Sequence, residues 1–377
     1  MPDYYVYPSA VGDNDGGADG AANDPTDANN WTDAWTNIQS AFDTADAGDI
    51  VYCRGTQTFA DATTIDVDQA TTGTNAGGFI KFIGVNATTG AIDGSRFIIN
   101  VNSKACHGIT FAATADMYWF ENIEVKNAGA GGDSKSGWYS AAYSSAGMVF
   151  VNCCANTCSG YGFGVPSTTF TWGSRWIQCV AYSNTLGGFI NGGVGNLFAF
   201  CCARDNSGDG FNIDNASPMV WGCIAYHNTD MGFDCGANAG ATIIQCVIDS
   251  NDNYGINYTA GTALYSGMAL ACRITDTLTG HTAAGIDCNA EAIIMGWNYF
   301  DEAIGDANAV IDDAIAQVIK GSATYQAGAG TTDTNLYNQD DTNQGYVDAD
   351  ATPDFSTGYT SATDPIHRRV GLIIPWT

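Results

Sequence analysis

Aspartate and histidine side chains in the middle of the chain could transfer protons. Hydrolysis of a glycosidic bond needs two carboxyl groups about 5 to 10 Å apart, one of which stays protonated. The sequence offers Asp205 and Asp209 for this role, with His227 as a further candidate. Aspartate is also a common turn residue, because its side chain hydrogen-bonds to the backbone nearby. The three residues are therefore candidates for catalysis, and a solvated turn residue is the simpler interpretation of each.

A second group of residues could bind a sugar. Tyr182, Arg204 and Tyr226 occupy one position of a repeat, and Asp205 and His227 follow in the next position. Aromatic faces beside hydrogen-bonding groups suit a sugar ring. The alternative is stacking between neighbouring strands that only stabilises the fold. The pattern predicts an outward shelf of stacked side chains, with both interpretations open.

An aspartate-rich loop near the start of the chain could hold a metal ion. Asp13, Asp15, Asp19 and Asp24 could supply oxygen ligands to calcium. Their spacing does not match an EF-hand loop, which needs a glycine at its sixth position and a terminal glutamate. A solvated hairpin loop is the alternative. No other cofactor is expected.

The elements that would position these residues follow from a repeat between about residues 148 and 290. The repeat keeps a cysteine, an asparagine, a glycine and a phenylalanine in fixed relative places. The cysteines, which recur at intervals in the low to middle twenties, are Cys153, Cys179, Cys201, Cys223, Cys246 and Cys272. The other columns are Asn184, Asn206, Asn228 and Asn251; Gly162, Gly188, Gly210, Gly232 and Gly255; and Phe163, Phe189, Phe211 and Phe233. A period in the low twenties is typical of a solenoid, in which each unit buries its apolar face against the next.

Each repeat contains short runs rich in β-branched and aromatic residues, such as "RWIQCVAY" and "ATIIQCVI". Such runs are typical of strands, and nothing between them is long enough for a helix. We therefore predict an all-β parallel solenoid with about 22 residues and three short strands per coil. Like residues then lie about 4.8 Å apart, with cysteines and phenylalanines inside and asparagine amides chained along a buried turn. We expect the glycines at a turn position with φ above zero.

The ladders and two N-terminal segments resemble a known family. The segments are "YYVYPSAVGDNDGG" and "WTNIQSAFDTADAGDIVYCRGTQTF". Together with the repeat they are similar to the right-handed parallel β-helix of the pectate-lyase-like superfamily, over roughly residues 3 to 300. The resemblance implies this fold and a helix that covers the open end of the first coil. It does not select a function, because the fold carries lyases, hydrolases, epimerases, phage tailspikes and non-catalytic virion proteins.

Three segments follow from this interpretation. Residues 1–49 form an N-terminal strand, the aspartate-rich loop and a capping helix, and residues 50–300 form the parallel β-helix. Residues 301–377 form a C-terminal cap or tail that could contact another subunit. This last segment is rich in Gly, Thr, Asp and Gln and has no detectable repeat.

Two stretches outside the repeat have helical periodicity. In the first, Thr32 or Asp33 would cap the helix and Gly48 would end it. Its apolar face consists of Trp35, Ile38, Phe42 and Ala45. The second would be a short helix beyond the last coil, formed around Val310, Ile311, Ala314, Ile315 and Val318.

The net charge of −28 limits the partners. An acidic surface repels nucleic acid and anionic membranes, so neither is expected as a partner. A lyase that removes a proton beside a carboxylate needs a cation to neutralise that carboxylate. Between residues 148 and 300 the basic residues besides histidine are Arg175, Arg204 and Arg273, in three different columns. A lyase site is therefore not predicted.

The thirteen cysteines favour reduced thiols over disulfides or a metal site. Most lie in the predicted interior column, where cysteine behaves as a small hydrophobic residue. The opening residues lack the basic and apolar regions of a signal peptide, and no stretch is long enough to span a membrane. We expect assembly in a reducing cytoplasm.

Alternation along a strand predicts that two columns beside the interior cysteines point outward. The column three residues before is Phe150, Trp176, Phe198, Val220 and Ile243, and the column one residue after is Cys154, Val180, Cys202, Ile224 and Val247. Strands that are apolar on both faces are buried on both faces. Something should therefore cover these columns, either neighbouring subunits or the C-terminal segment. A homo-oligomer is expected, with a trimer favoured, or contact with other virion subunits.

Two functions from different classes are consistent with these features. The first is a non-enzymatic virion surface protein, such as a phage decoration, fibre or spike subunit, assembled in the host cytoplasm and able to bind a glycan. The second is an extracellular polysaccharide-processing enzyme, whether a lyase, a C5-epimerase or a glycoside hydrolase. The first is favoured, and the oligomeric state and the chemistry of the shelf separate the two.

Overall fold

Short strands joined by bends wind into three parallel sheets, A, B and C. The computed structural model describes residues 3–324 except positions 13, 19, 21–23, 68–72, 75–76, 113–114, 130–133, 141–146, 166–172, 214–216, 237–239, 259–266, 276–283, 289–292, 297, 301–307, 313–316 and 321–322. The chain divides into two units, Met1–Asn196 and Leu197–Thr377. From β2 onward, consecutive strands within each unit visit the three sheets in turn, so the all-β parallel solenoid is confirmed.

The first unit contains sixteen of the strands that the structure describes. Those of sheet A are β1 (Asp3–Val6), β2 (Ile50–Arg54), β5 (Ile80–Val85), β8 (Tyr118–Glu121), β11 (Val149–Val151) and β14 (Arg175–Ile177). Those of sheet B are β3 (Thr56–Thr58), β6 (Phe97–Lys104), β9 (Ile123–Ala128), β12 (Cys154–Asn156) and β15 (Val180–Tyr182). Those of sheet C are β4 (Ile65–Val67), β7 (Ile109–Phe111), β10 (Trp138–Ser140), β13 (Tyr161–Val165) and β16 (Gly187–Asn191).

The second unit repeats this arrangement with shorter strands. Those of sheet A are β17 (Leu197–Ala199), β20 (Met219–Trp221), β23 (Thr242–Ile244), β26 (Gly267–Leu270), β29 (Ile293–Gly296) and β32 (Gln317–Lys320). Those of sheet B are β18 (Cys202–Arg204), β21 (Ile224–Tyr226), β24 (Val247–Asp249), β27 (Arg273–Thr275), β30 (Tyr299–Phe300) and β33 (Ala323–Thr324). Those of sheet C are β19 (Asp209–Ile213), β22 (Phe233–Cys235), β25 (Tyr254–Tyr258), β28 (Ala284–Cys288) and β31 (Asn308–Asp312).

The length of a coil changes along the chain while the pairing stays in register. One of the longest coils leads from Lys81 to its partner Trp119. A shorter coil leads from Val149 to Arg175, and a still shorter one leads from Leu197 to Met219. The predicted period of about 22 residues, typical of a solenoid, therefore describes the shortest coils, and longer coils precede Val149.

The cysteine and phenylalanine columns lie in the interior. All six cysteines of the column are buried, and so are the four phenylalanines. Within the first unit Phe163 stacks on Phe189, with ring centroids 4.8 Å apart and planes 6° from parallel. Within the second unit Phe211 stacks on Phe233 at 4.7 Å and 9°. Such offset stacks follow from register, because equal positions of adjacent coils lie one strand spacing apart.

The asparagine column forms a chain of amides at the bend between sheets B and C. In the second unit the Asn206 side-chain nitrogen donates to Asn228 Oδ1 at 2.9 Å. Asn228 donates in the same way to Asn251 Oδ1 at 2.8 Å, and also to the Ala203 carbonyl at 3.1 Å. In the first unit Asn184 Oδ1 accepts from the backbone of Cys158. The buried bend therefore has its polar groups paired.

The predicted reason for the glycine column is wrong. None of these glycines is among the residues with positive φ in the described part of the chain. The constraint is space instead. A Cβ on Gly210 would lie 2.7 Å from the carbonyl oxygen of Gly232 and 2.9 Å from the side-chain nitrogen of Asn228. Glycine is therefore required where the next coil and the amide chain approach the backbone most closely.

The N-terminal cap is shorter than predicted. The helix α1 spans Ile38–Phe42, and Asn37 caps it by accepting from the backbone of Gln39, so neither Thr32 nor Asp33 is the cap. A 3-10 helix at Ala28–Trp31 precedes it. Trp35 is not helical, because it pairs with Val6 of β1 as an isolated bridge. Phe42 stacks on Phe82 at 4.1 Å, so the cap buries its apolar face on the first coils.

One of the two columns predicted to point outward is buried. Phe150, Trp176, Phe198, Val220 and Ile243 all lie in the core. The residue before each ladder cysteine has a left-handed backbone, for example Asn152 with φ 49° and Gln245 with φ 54°. This residue turns the chain from sheet A to sheet B and interrupts the alternation on which the prediction depended. Only the column one residue after the cysteines lies on the outer side, and Ile224 is its most exposed member.

The helix predicted around residues 310–318 is also wrong. Asn308–Asp312 and Gln317–Lys320 are strands β31 and β32, which pair with β28 and β29. Val310, Ile311 and Val318 thus continue the solenoid beyond residue 300. Their spacing fits strands as well as a helix, which is the usual ambiguity of short apolar runs. Ala314, Ile315 and residues 325–377 lie outside the described residues.

Candidate functional site

The outer face of sheet B in the second unit brings two predicted sugar-binding residues together. Arg204 on β18 lies opposite Tyr226 on β21, and Asp249 on β24 follows Tyr226 in register. Arg204 and Tyr226 are half-buried, so part of each side chain is in solvent. Tyr182 belongs to the first unit, where it lies opposite Asn156 on β12.

Arg204, Asp205 and His227 form a charged cluster at the edge of this face. The Asp205 carboxylate accepts from Arg204 Nη1 at 2.5 Å through one oxygen. Its other oxygen lies 2.9 Å from His227 Nδ1. Asp205 and His227 occupy equal bend positions on adjacent coils, with left-handed backbones at φ 54° and 52°. Asp205 and His227 therefore meet because their coils stack, and Arg204 reaches the same carboxylate from β18.

The electrostatics of the cluster keep Asp205 ionised. Burial alone would raise the pKa of the Asp205 carboxyl, but its hydrogen bonds to His227 and Arg204 outweigh burial and lower that pKa below its usual value. The carboxylate is then an acceptor at neutral pH and a poor source of protons. It can orient the guanidinium and the imidazole, and it can accept hydrogen bonds from sugar hydroxyls.

Asp209 lies on sheet C, at the start of β19, and has different chemistry. Its carboxylate accepts from Asn212 Nδ2 at 3.0 Å and from the backbone of Met231 at 3.2 Å. Burial raises the pKa of this carboxyl, and the neighbouring Asp230 raises it further. The same Asn212 nitrogen lies 3.4 Å from Asp234 Oδ2. Asp209 thus shares a hydrogen-bond donor with a second carboxylate, that of Asp234.

A cationic group that the sequence analysis missed lies on sheet B of the first unit. Lys126 on β9 is 3.8 Å from Glu124, and the Asn156 amide donates to the same Glu124 oxygen at 3.1 Å. Asn156 lies opposite both Lys126 and Tyr182 in register. Lys126 lies in a long coil before residue 148, outside the cysteine repeat on which the sequence predictions depended. Alternation of Glu124 and Lys126 within one strand was the available signal.

The aspartate-rich loop is held by its own hydrogen bonds where the structure describes it. Asp15 accepts from the backbone of Gly17 at 2.8 Å, and Asp24 accepts from the backbone of Thr26 at 2.9 Å. Asp13 and Asp19 lie outside the described residues. Among the residues that are described, no group of three or more His, Cys, Asp or Glu side chains is placed to hold a metal ion.

Twelve cysteines are free thiols in the part of the chain with described side chains, and only Cys202 among them is partly exposed. Burial raises the pKa of the Cys158 thiol to about 12. Such a thiol stays protonated and behaves as a packing residue. Across the described residues, the structure has no helix of the length and apolar character that crossing a membrane requires.

Comparison with known proteins shows which fold the chain has. Residues 92–266 match a protein family described as "Right handed beta helix region". Similar solved structures include pectate lyase Pel9A, with 16% identity, a TM-score of 0.58 and coverage of 90% of this chain and 80% of that one. A rhamnogalacturonan lyase has 13% identity and a TM-score of 0.60, with coverage of 85% and 87%. The A-module of Azotobacter vinelandii mannuronan C-5 epimerase AlgE4 has 15% identity and a TM-score of 0.55, with coverage of 78% and 83%. The sequence matches no curated protein.

These similarities concern the backbone. At 13% to 16% identity, similar structures share the path of the chain and carry no information about the side chains of a site. Evidence for function therefore comes from the groups described above.

Proposed function

We propose that this chain, whose parallel β-helix matches a right-handed β-helix family over residues 92–266 and is similar in fold to pectate lyase Pel9A, is a non-enzymatic surface protein of a virus particle. It serves as a decoration, fibre or spike subunit of a bacteriophage, and its β-helix is a rigid rod that binds a glycan. The observation that carries this proposal is the cluster of Arg204, Asp205 and His227 beside Tyr226.

The cluster is better suited to binding than to proton transfer. Its arginine is already paired with Asp205, and that carboxylate has a lowered pKa. Hydrolysis needs a protonated acid, which Asp205 does not provide. Fixed donors and acceptors beside an aromatic ring provide what a sugar needs, namely a flat apolar contact and directed hydrogen bonds. Tyr226, whose ring centroid is 5.8 Å from that of His227, supplies the ring.

Binding without turnover is the expected result with a panel of oligosaccharides. Replacing Arg204 by alanine should weaken binding about tenfold or more, because a hydrogen bond to a charged group contributes about 1.5 to 3 kcal/mol. Array screening followed by calorimetric titration measures this effect. Arg175→Ala, which removes an exposed arginine from β14, is the matched control and should leave the affinity unchanged. An array without any bound glycan, or an Arg204→Ala variant with unchanged affinity, would contradict the proposal.

A second candidate is a polysaccharide-processing enzyme, and one specific observation favours it. Lys126 and Tyr182 both lie in register with Asn156, beside the Glu124 carboxylate. A lysine, a phenol and a carboxylate together could exchange protons with a substrate. The similar solved structures include two lyases and an epimerase. Release of reducing ends or unsaturated products in the same panel, abolished by Lys126→Met, would select this function over the first.

The proposed virion protein is a homo-oligomer, with a trimer favoured. Support comes from the apolar column of Cys202, Ile224 and Val247, which are in register on the outer face of sheet B. This column lies beside the column of Arg204 and Tyr226, so a glycan bound there would run along the edge of the contact between subunits. The proposed location is the surface of the particle, after assembly in the host cytoplasm.

Assembly and location can be tested together. Mass spectrometry should detect the chain in purified particles, and light scattering of the isolated protein should give three times 39.4 kDa. Ile224→Asp should yield monomers, because it places a charge in the apolar contact. Leu186→Asp is the control, since Leu186 is 38% exposed like Ile224 but lies outside this column. A monomeric native protein, or one absent from particles, would contradict the proposal.

A further inference from the structure

Phe200 has a backbone conformation that is unfavourable for a residue with a bulky side chain. It occupies the bend between β17 and β18 with φ 57°, in the left-handed region that bulky residues rarely adopt. On the next three coils of the second unit, the equivalent position is occupied by Gly222, Gln245 and Ala271 in turn. The ring is 40% exposed, so the core does not hold it in place. The fold needs a left-handed residue at this bend, but it does not need a bulky aromatic one, so the choice of phenylalanine points to a function for the side chain.

The next coil leaves room for this ring. Gly222 follows Phe200 in register, because the backbone of Phe200 donates to the carbonyl of Trp221. A Cβ on Gly222 would lie 2.8 Å from both Cδ1 and Cε1 of Phe200. The phenyl ring thus lies against the backbone of Gly222, and any larger residue there would displace it. The phenylalanine and the glycine form a matched pair.

Trp221 adds a second exposed ring. It is 42% exposed, and its ring centroid lies 4.9 Å from that of Phe200 with the planes at 50°. The indole Nε1 donates to Gln245 Oε1 at 2.8 Å, which fixes the orientation of the ring. Phe200 and Trp221 therefore form a rigid aromatic pair on the surface, and we call it the aromatic platform.

We propose that the aromatic platform binds a ring of an uncharged glycan. The proposal deepens the glycan binding suggested above and rests on it. Rigid aromatic rings offer a large contact area while losing little conformational freedom on binding, and the C–H face of a pyranose matches such a surface. The chain carries a net charge of −28, and Arg204, the nearest cation in the sequence, is paired with Asp205. Anionic sugars are repelled by such a protein, so a neutral glycan fits better.

The test compares neutral with uronic acid oligosaccharides on the full-length protein. The probes are cello-, xylo- and manno-hexaose on one side and hexamers of galacturonate and mannuronate on the other. Trp221→Ala should weaken binding of the neutral probe at least tenfold. Phe200→Gly should do the same, and it should leave the melting temperature equal or higher, because glycine relieves the left-handed backbone. Met219→Ala, which truncates a 48% exposed residue of the same strand, should change the affinity less than twofold.

Several outcomes would overturn this inference. Preferred binding of the uronates would do so, as would neutral binding that survives both aromatic substitutions. A clearly lower melting temperature of Phe200→Gly would show that the ring serves the fold. Conversion of the protein to monomers by Trp221→Ala would assign the platform to a contact between subunits. If Arg204→Ala abolishes binding and Trp221→Ala does not, the glycan-binding proposal stands without the platform. If no probe and no array glycan binds, both fail.

Discussion

Replacing Asn228 by alanine is expected to lower the free energy of unfolding by about 3 to 5 kcal/mol. Asn228 Oδ1 accepts from the backbone and side chain of Asn206. Its own amide donates to Ala203 and Asn251. Alanine would leave these partners buried without a hydrogen bond, and each such group contributes about 1 to 3 kcal/mol of desolvation penalty. Urea unfolding monitored by circular dichroism measures the change.

The control for this substitution is Thr229→Ala, at the exposed residue that follows in the same bend. It should lower the free energy of unfolding by less than about 1 kcal/mol, as is usual for exposed positions. A loss of similar size in both variants would mean that the amide chain is not what stabilises the bend.

Replacing Phe211 by alanine is also expected to destabilise the protein by about 3 to 5 kcal/mol. The Phe211 side chain is fully buried, stacks on Phe233 at 4.7 Å and contacts Phe198 edge to face at 5.9 Å. Its removal would leave a cavity that the fixed strand spacing of a solenoid cannot close. Calorimetry measures the loss, and hydrogen exchange should show lost protection first in the strands of this coil, because a solenoid depends on nearest-neighbour contacts.

Phe211→Leu is the matched control, since leucine keeps most of the apolar volume. It should destabilise by about 1 to 2 kcal/mol. Equal losses in the alanine and leucine variants would show that ring stacking, and not the filled volume, is the larger contribution.

The columns of equivalent residues could be predicted because, in a solenoid, residues one period apart in the sequence lie one strand spacing apart in the structure. Once Cys201 and Cys223 are recognised as equivalent, Phe211 must lie above Phe233, and the structure has this stack. The same reasoning predicted that Asp205 lies next to His227, which is a contact within the candidate site.

The left-handed bends between sheets A and B could not be predicted from the alternation of inward and outward residues along a strand. The core position of Phe198 depends on the left-handed residue at 200, which ends one strand before the next begins. The signal was weak, because Asn152 and Gly222 tolerate that conformation while Phe200 does not favour it. Lys126 could not be predicted for a related reason, since the coil that begins with it is longer than the period of the cysteine repeat.

The long coil from Lys81 to Trp119 and the short coil from Leu197 to Met219 keep the same parallel pairing. Additional residues therefore leave the sheets at a bend and return without displacing the strands above and below. Insertions at these bends can vary in size and sequence independently of one another. The architecture is thus a scaffold for grafted peptides, in which a bend can display a foreign loop while the strands keep their register.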